Sequence, residues 1–518
     1  MRSHRPVPIF VAVLVGVVAY FAATRDARAV PSFARKYQTS CQTCHTVFPA
    51  LNPFGEAFRR NGYRFPSQGG STDMDQVKGA MIPLGQDEYK QLFPNAVWPD
   101  KIMEAVPLSL MANGQVAINM PGSDAQSAAG NAFTWGGIES EFHLFAAGAF
   151  NNTLTYFSEV TLDANAGTLD VEHAYLLWND IVGPRHLFNL WVGRLMNPSL
   201  TSFGLHSSYL NDTNMPGISI AGLYNGGAAP VIGPTAHPDG LELNGIAGHR
   251  FDYALGWLAS STGGGLLMPD AEDVYAHVGV KIGGMSLDGE GPCGAMLPDP
   301  MKPWAETSLT LDAYAYSGMT MFDNGTGASF SPAVPVAQTD RFAAIGGAAR
   351  GYLGSLEITA GAQFEHHTQP YMGTAGSPGD ATQTPPIPPT NGVPDGASAN
   401  SVVGYGEIDY VVYPWLVPGV RAEYTRIDLN GGSPSLDPRN GNYASLFRVV
   451  PGIATLVRPN IRVIFSGDLE TAYGLPPVGN WGAAGGTLVP NTFDSKTGRY
   501  AQNKLEAEQI AITANVAF

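Results

Sequence analysis

The chain has 518 residues and a mass of 54.8 kDa, with 44% hydrophobic and 14% charged residues, 62 Gly, 40 Pro and three Cys. So few cysteines exclude a disulfide-stapled mini-protein, and the hydrophobic and aromatic content excludes disorder throughout. A net charge of −16 and a pI near 5.0 argue against nucleic acid as a partner and favour small cations.

Residues 1–29 read as an export signal. Arg2 and Arg5 form a positive start, Ile9 to Ala23 form an apolar run, and Ala27-Arg28-Ala29 forms a small-x-small cleavage site before Val30. The apolar run is shorter than the ~20 residues of a spanning helix. Removing residues 1–29 lowers Lys+Arg from 28 to 24 and Asp+Glu from 44 to 43, for a net charge of −19. No later stretch approaches 18 consecutive apolar residues, which leaves a soluble exported protein or a membrane β-barrel.

Residues 30–105 differ from the rest. They hold two of the three Cys, many aromatics and several basic residues, and Phe54 to Asn61 is a candidate helix, so a small head domain is expected here. Within it, Cys41-Gln42-Thr43-Cys44-His45 is a C-x-x-C-H sequence, the attachment site of c-type haem. Two thiols one turn apart add to the two porphyrin vinyl groups, and the adjacent histidine is then held under the iron as an axial ligand. A thioredoxin-like site expects a βαβ context that is absent, a zinc site needs a second ligand pair, and a disulfide leaves the histidine unexplained. One motif predicts one haem c, bound by Cys41 and Cys44 with His45 on the iron. For the sixth ligand Met74, Met81, Met103, His143 and His173 are all candidates, and the sequence leaves the choice open. Cys293 reads as incidental.

From about Val106 to Phe518 the pattern changes to period-two alternation. Phe251, Tyr253, Leu255, Trp257 and Ala259 alternate with Asp252, Ala254, Gly256, Leu258 and Ser260. Leu356 to Glu365, Leu309 to Tyr316 and Ile461 to Glu470 repeat it, with Asp312, Glu357, Glu365, Asp468 and Glu470 on the inferred interior row. About sixteen such segments occur. Tight turns at Asn151-Asn152 and Gly354-Ser355 alternate with long Gly/Pro-rich stretches at Met196 to Asn214, Gly284 to Trp304, Met321 to Thr339, His366 to Asn400 and Gly474 to Asn503. Short turns at one end and long loops at the other are how outer-membrane barrels are built. Ile510, Ile512, Ala514, Val516 and the terminal Phe518 read as the closing strand. The expected fold is therefore mostly β: a haem c domain over 30–105, then an antiparallel transmembrane barrel of about 16 strands over 106–518, in the bacterial outer membrane.

A monohaem segment with Phe33-Ala34-Arg35 ahead of Cys41, and Pro49 and Phe54-Gly55 after His45, joined to a barrel of this size, resembles the fused outer-membrane cytochrome-porins of iron-oxidising bacteria. The resemblance is specific over residues 30 to about 65, while the barrel matches in pattern. It implies uptake of electrons from extracellular Fe(II), passed through the haem to a soluble periplasmic cytochrome or cupredoxin. Two alternatives remain: an outward conduit to extracellular acceptors or one serving another donor, and a transport porin whose haem domain is a plug, gate or sensor. Because tunnelling weakens exponentially with distance and the apolar band of such a barrel is ≈25 Å tall, the head is expected inside the lumen with the haem near the outer loops.

Overall fold

A computed structural model describes residues 32–66, 81–83, 87–96, 101–103, 108–120, 133–163, 167–195, 238–259, 273–290, 302–323, 336–368, 398–430, 443–474, 480–481, 486–487, 493–494, 499–500 and 503–517. Sixteen strands close into one antiparallel barrel. They are β1 (Leu108–Asn119), β2 (Phe133–Ala149), β3 (Leu154–Asp163), β4 (Thr168–Trp178), β5 (Asn189–Arg194), β6 (Asp239–Ala247), β7 (Phe251–Leu258) and β8 (Asp273–Gly283). The second half comprises β9 (Glu306–Asp323), β10 (Val336–Gly354), β11 (Leu356–His367), β12 (Ser398–Tyr410), β13 (Leu416–Asn430), β14 (Tyr443–Arg458), β15 (Ile461–Gly474) and β16 (Asn503–Ala517). Every strand pairs with its sequence neighbours, and β16 returns to β1 with Ile512 opposite Val116, so the sheet has no edge.

The two faces of each strand meet different media. On β7, Phe251, Leu255 and Trp257 point outward and are 42%, 53% and 46% exposed, while Asp252 and Ala254 are buried. On β11 the outward row includes Ile358 and Phe364, and the inward row holds Glu357, Gln363 and Glu365. An apolar outside with a polar inside is the pattern of a barrel that spans a membrane, inverted relative to a soluble sandwich. Asp312, Glu357, Glu365, Asp468 and Glu470 all lie buried on the inner face, as the alternation predicts. Arginines partner several of them: Arg350 Nε lies 2.6 Å from Glu357, and Arg448 Nη2 lies 2.5 Å from Asp468.

Antiparallel pairing puts every second connection at the same end. One end carries the connections at 150–153, 179–188, 248–250, 284–305, 355, 411–415 and 459–460. The other carries those at 120–132, 195–238, 259–272, 324–335, 368–397, 431–442 and 475–502, together with the brief 164–167. Residues 284–305 thus correct the sequence reading: this Gly/Pro-rich stretch sits with the tight turns, because it joins β8 to β9 and parity fixes its end. Phe518 lies outside the described residues, whereas β16 occupies the closing position expected of it.

Ahead of the barrel, the head consists of α1 (Ser32–Tyr37), a single 3-10 turn at Cys41–Thr43 and α2 (Pro53–Arg60). Helix α2 starts where Asn52 accepts a hydrogen bond from Gly55 N at 2.9 Å, with Pro53 in the first helical position. It ends in Arg59 and Arg60, which complement the negative end of its dipole. Its buried face is Phe54, Ala57 and Phe58, an i, i+3, i+4 stripe. Beyond the head, α3 (Asp87–Leu92) and a short ladder pairing Met81–Pro83 with Lys101–Met103 precede β1.

The head sits inside the barrel mouth at the short-turn end. Its apolar residues Tyr37, Phe58 and Tyr63 pack with Tyr175 and Trp191 of the wall, and Val47 and Ala50 pack with Val417, Ala454 and Ile464. Under the head the inner face thus mixes apolar side chains with charged ones, Asp252 and Arg350, that meet it. Polar contacts ring the mouth: Gln42 Nε2 donates to Pro414 O at 3.0 Å, Asn61 Nδ2 to Asp288 O at 2.7 Å, and Arg64 Nη1 to Asn152 O at 2.7 Å and Asp180 at 2.6 Å. From the wall, Arg350 reaches Glu56 at 3.0 Å and Leu51 O at 2.9 Å.

Candidate functional site

The Cys41–His45 segment folds back on itself in one turn. Cys44 N and His45 N both donate to Cys41 O, at 3.2 and 3.0 Å, and Ser40 caps the turn by accepting from Gln42 N. Asn52 holds this loop from beneath: its Nδ2 donates to Gln42 O and Thr43 O, both at 3.1 Å, and its backbone N donates to Cys44 O at 3.0 Å. The same side chain caps α2, so one residue that is 1% exposed positions both the loop and the helix. Sequence reasoning did not single out Asn52, although an Asn before Pro-Phe-Gly-Glu is a helix-start signal.

Gly55 explains how close these elements lie. A Cβ there would meet Cys44 O at 2.0 Å and Leu51 Cδ2 at 2.9 Å. Gly55→Ala is therefore expected to push the helix off the loop and to destabilise the head by about 1–3 kcal/mol, as overpacking does. Faster proteolysis of the head at unchanged barrel heat-modifiability on gels would report it, and unchanged cleavage would refute it.

Cys41, Cys44 and His45 all line one cavity of about 210 Å³, bounded by apolar groups such as Phe58, Phe65 and Phe157. Both cysteines carry free thiols, so no disulfide joins them. Burial pushes the Cys44 thiol up to about 12, helped by Cys41 beside it, and raises Cys41 as well. Burial also holds the His45 imidazole down to about 4, against the opposing pull of the Pro49 and Ala50 backbone. His45 is thus a neutral ring whose Nδ1 lies 2.9 Å from Pro49 O. That carbonyl can only accept, so Nδ1 carries the proton and Nε2 keeps its lone pair, which is how ligating histidines are oriented.

The donor set fits a covalently attached haem. Two protonated thiols one turn apart, a neutral imidazole with a fixed tautomer and an apolar cavity shared by all three are what thioether attachment and axial ligation require.

The structure divides the other candidates. Met74 and Cys293 lie outside the described residues. Met81 and Met103 are paired in the backbone register of the short ladder before β1. His143 and His173 are buried on the inner wall, on β2 and β4, and neither lines the cavity. His143 Nδ1 lies 3.0 Å from Glu159 and its Nε2 lies 3.1 Å from Asn113, so both ring nitrogens are engaged. Two groups that the sequence reading missed also converge across strands: His143 with Glu159 and Glu172, and Asp252 with His277 and Asp312. In the second, Asp252 pairs with Arg60 of the head and Asp312 with His277 at 2.7 Å.

The position of the site corrects one expectation. The head is in the lumen, but the cavity adjoins the 459–460 turn, Ser109 and Ala517, at the short-turn end rather than near the long loops. The reason is connectivity. β1 enters the barrel at the short-turn end, so the head preceding it reaches that mouth first and pairs with the turn carbonyls there.

No protein-family model matches the chain, and no curated protein matches it. Among solved structures it is similar to the outer-membrane expressed OmpT of Vibrio cholerae, with 12% identity and a TM-score of 0.43 over 79% of this chain and 97% of that one. It is similar also to the anion-selective porin from Comamonas acidovorans, with 11% identity and a TM-score of 0.44 over 79% and 98%. The outer membrane channel DcaP of Acinetobacter baumannii gives 11% and 0.42 over 79% and 96%. These are likenesses of fold. By its own strands the chain is a closed sixteen-strand antiparallel β-barrel whose short-turn mouth holds a folded head.

Proposed function

We propose that this protein is an outer-membrane electron-transfer protein of the fused cytochrome-porin kind, exported by cleavage after residue 29. It takes electrons from extracellular Fe(II) and delivers them to a soluble periplasmic cytochrome or cupredoxin. The observation that carries the reading is the convergence of Cys41, Cys44 and His45 on one apolar cavity inside the barrel mouth. Cys41 and Cys44 are the attachment thiols, and His45 is the proximal ligand, aimed by the Pro49 carbonyl. When bound, the haem supplies a one-electron iron couple. The aromatic lining makes the site largely apolar, and the Asn52 and Gly55 contacts hold the loop in place, so little reorganisation opposes electron exchange.

Short turns of bacterial outer-membrane barrels face the periplasm. A site at that end lies within reach of a periplasmic carrier, while an outside donor has to travel down the lumen. A small hydrated cation meets that requirement. The acidic inner rows, with Asp273 and Glu365 toward the long-loop ends of β8 and β11, favour its entry over that of an anion.

The test is the visible spectrum of the detergent-purified, air-oxidised protein before and after Fe(II) is added at the growth pH. A sharp c-type α-band should appear rapidly. Reduction by dithionite but not by Fe(II) would overturn the donor assignment and favour another donor or the outward direction. A protein without haem would leave the plugged transport porin as the reading.

A further inference from the structure

The cavity at Cys41, Cys44 and His45 has walls of two origins. The head supplies one side, and the barrel supplies the other through Met111 of β1, Phe145 of β2 and Phe157 and Glu159 of β3. Met111 is 5% exposed. Its neighbours at the same strand parity face inward: Ser109 Oγ accepts from Ser32 N at 2.7 Å, and Asn113 accepts from Asn515 Nδ2 at 2.7 Å.

We propose that Met111 is the distal axial ligand of the haem that Cys41, Cys44 and His45 hold; this rests on the haem reading above. Among the described residues lining the cavity, the side chains with a sulfur or an imidazole nitrogen are Cys41, Cys44, His45 and Met111. The first two are consumed as thioethers and the third is the proximal ligand. Oxygen donors on the cavity have other partners: the Tyr63 hydroxyl lies 2.9 Å from that of Tyr175, Glu159 lies 3.0 Å from His143, and Thr39 lies 2.6 Å from Thr43. His143, directly opposite Met111 in the β1–β2 register, has both nitrogens engaged. A methionine is suited to the remaining position, because its unbranched side chain adapts to the gap and its thioether is a good ligand for haem iron. The ligand thus comes from the barrel wall, not from the head, and the iron is held between two parts of the fold.

The test compares the full-length wild type with Met111→Ala and Met111→His, each checked for folding by heat-modifiability and for covalent haem by the pyridine haemochrome assay. In the wild type the ferric spectrum should show the weak near-infrared charge-transfer band of an iron–thioether bond. Met111→Ala should lose that band and lower the midpoint potential. Met111→His should also lose it but stay low-spin, as a second imidazole replaces the thioether. Met81→Leu and Met103→Leu should keep the band. A wild type with haem but no thioether band, or a folded Met111→Ala protein that retains the band, would overturn the assignment. Absence of haem from the wild type overturns the earlier reading instead.

Discussion

Cys41→Ser combined with Cys44→Ser is expected to yield an assembled barrel with no covalently bound haem. On the proposed reading the two thiols are the attachment atoms, so removing both should eliminate the peroxidase-staining band on a denaturing gel and the added mass of the cofactor. The loop itself does not depend on the sulfurs. Asn52 holds it through the carbonyls of Gln42, Thr43 and Cys44, and Gly55 packs against the last of these. The barrel is closed by its own ladders, and serine is close in volume to cysteine, so heat-modifiability should be unchanged. A double variant that still carries covalent haem would refute the attachment assignment outright.

Deleting residues 30–66 while keeping residues 1–29 is expected to raise single-channel conductance on the order of tenfold, since sixteen-strand barrels with an unfilled mouth leave an aqueous channel. The head contacts the turns at 150–153, 179–188, 284–305 and 411–415, and Arg350 ties it to the opposite wall. The Arg64–Asp180 ion pair acts together with several such contacts and with the apolar packing of Tyr37, Phe58 and Tyr63 against the wall, so spontaneous departure of the head is rare. Planar-bilayer recording of intact and deleted proteins checks this. Equal conductance would show that the head does not occlude the pore.

The strand rows were legible because each strand separates lipid from lumen, and that contrast is written into every second residue, as at Phe251, Leu255 and Trp257 against Asp252 and Ala254. The convergence of Cys41, Cys44 and His45 on one cavity was legible because their spacing is local. Properties set by closure were not. Residues 284–305 look like an outer loop by composition, yet the parity of β8 and β9 puts them at the other end. Met111 reads as one apolar residue in the run Leu108 to Ala112, and its place on the cavity wall emerges only once the sheet has closed around the head. Arg350 is likewise nearly three hundred positions from Glu56, a pairing that no local pattern encodes. Even the correct expectation that the head enters the lumen misjudged its depth, because a tunnelling estimate ignores where the chain enters the barrel.

The pairing of β16 with β1 has a consequence for biogenesis. The cavity is walled by Met111 near the beginning of the barrel and by Pro459, Asn460 and Ala517 near its end. That wall therefore does not exist until the first and last strands have met. A cofactor joined to the head earlier would remain exposed to the periplasm throughout export, and membrane insertion, rather than attachment, would be the event that shelters it.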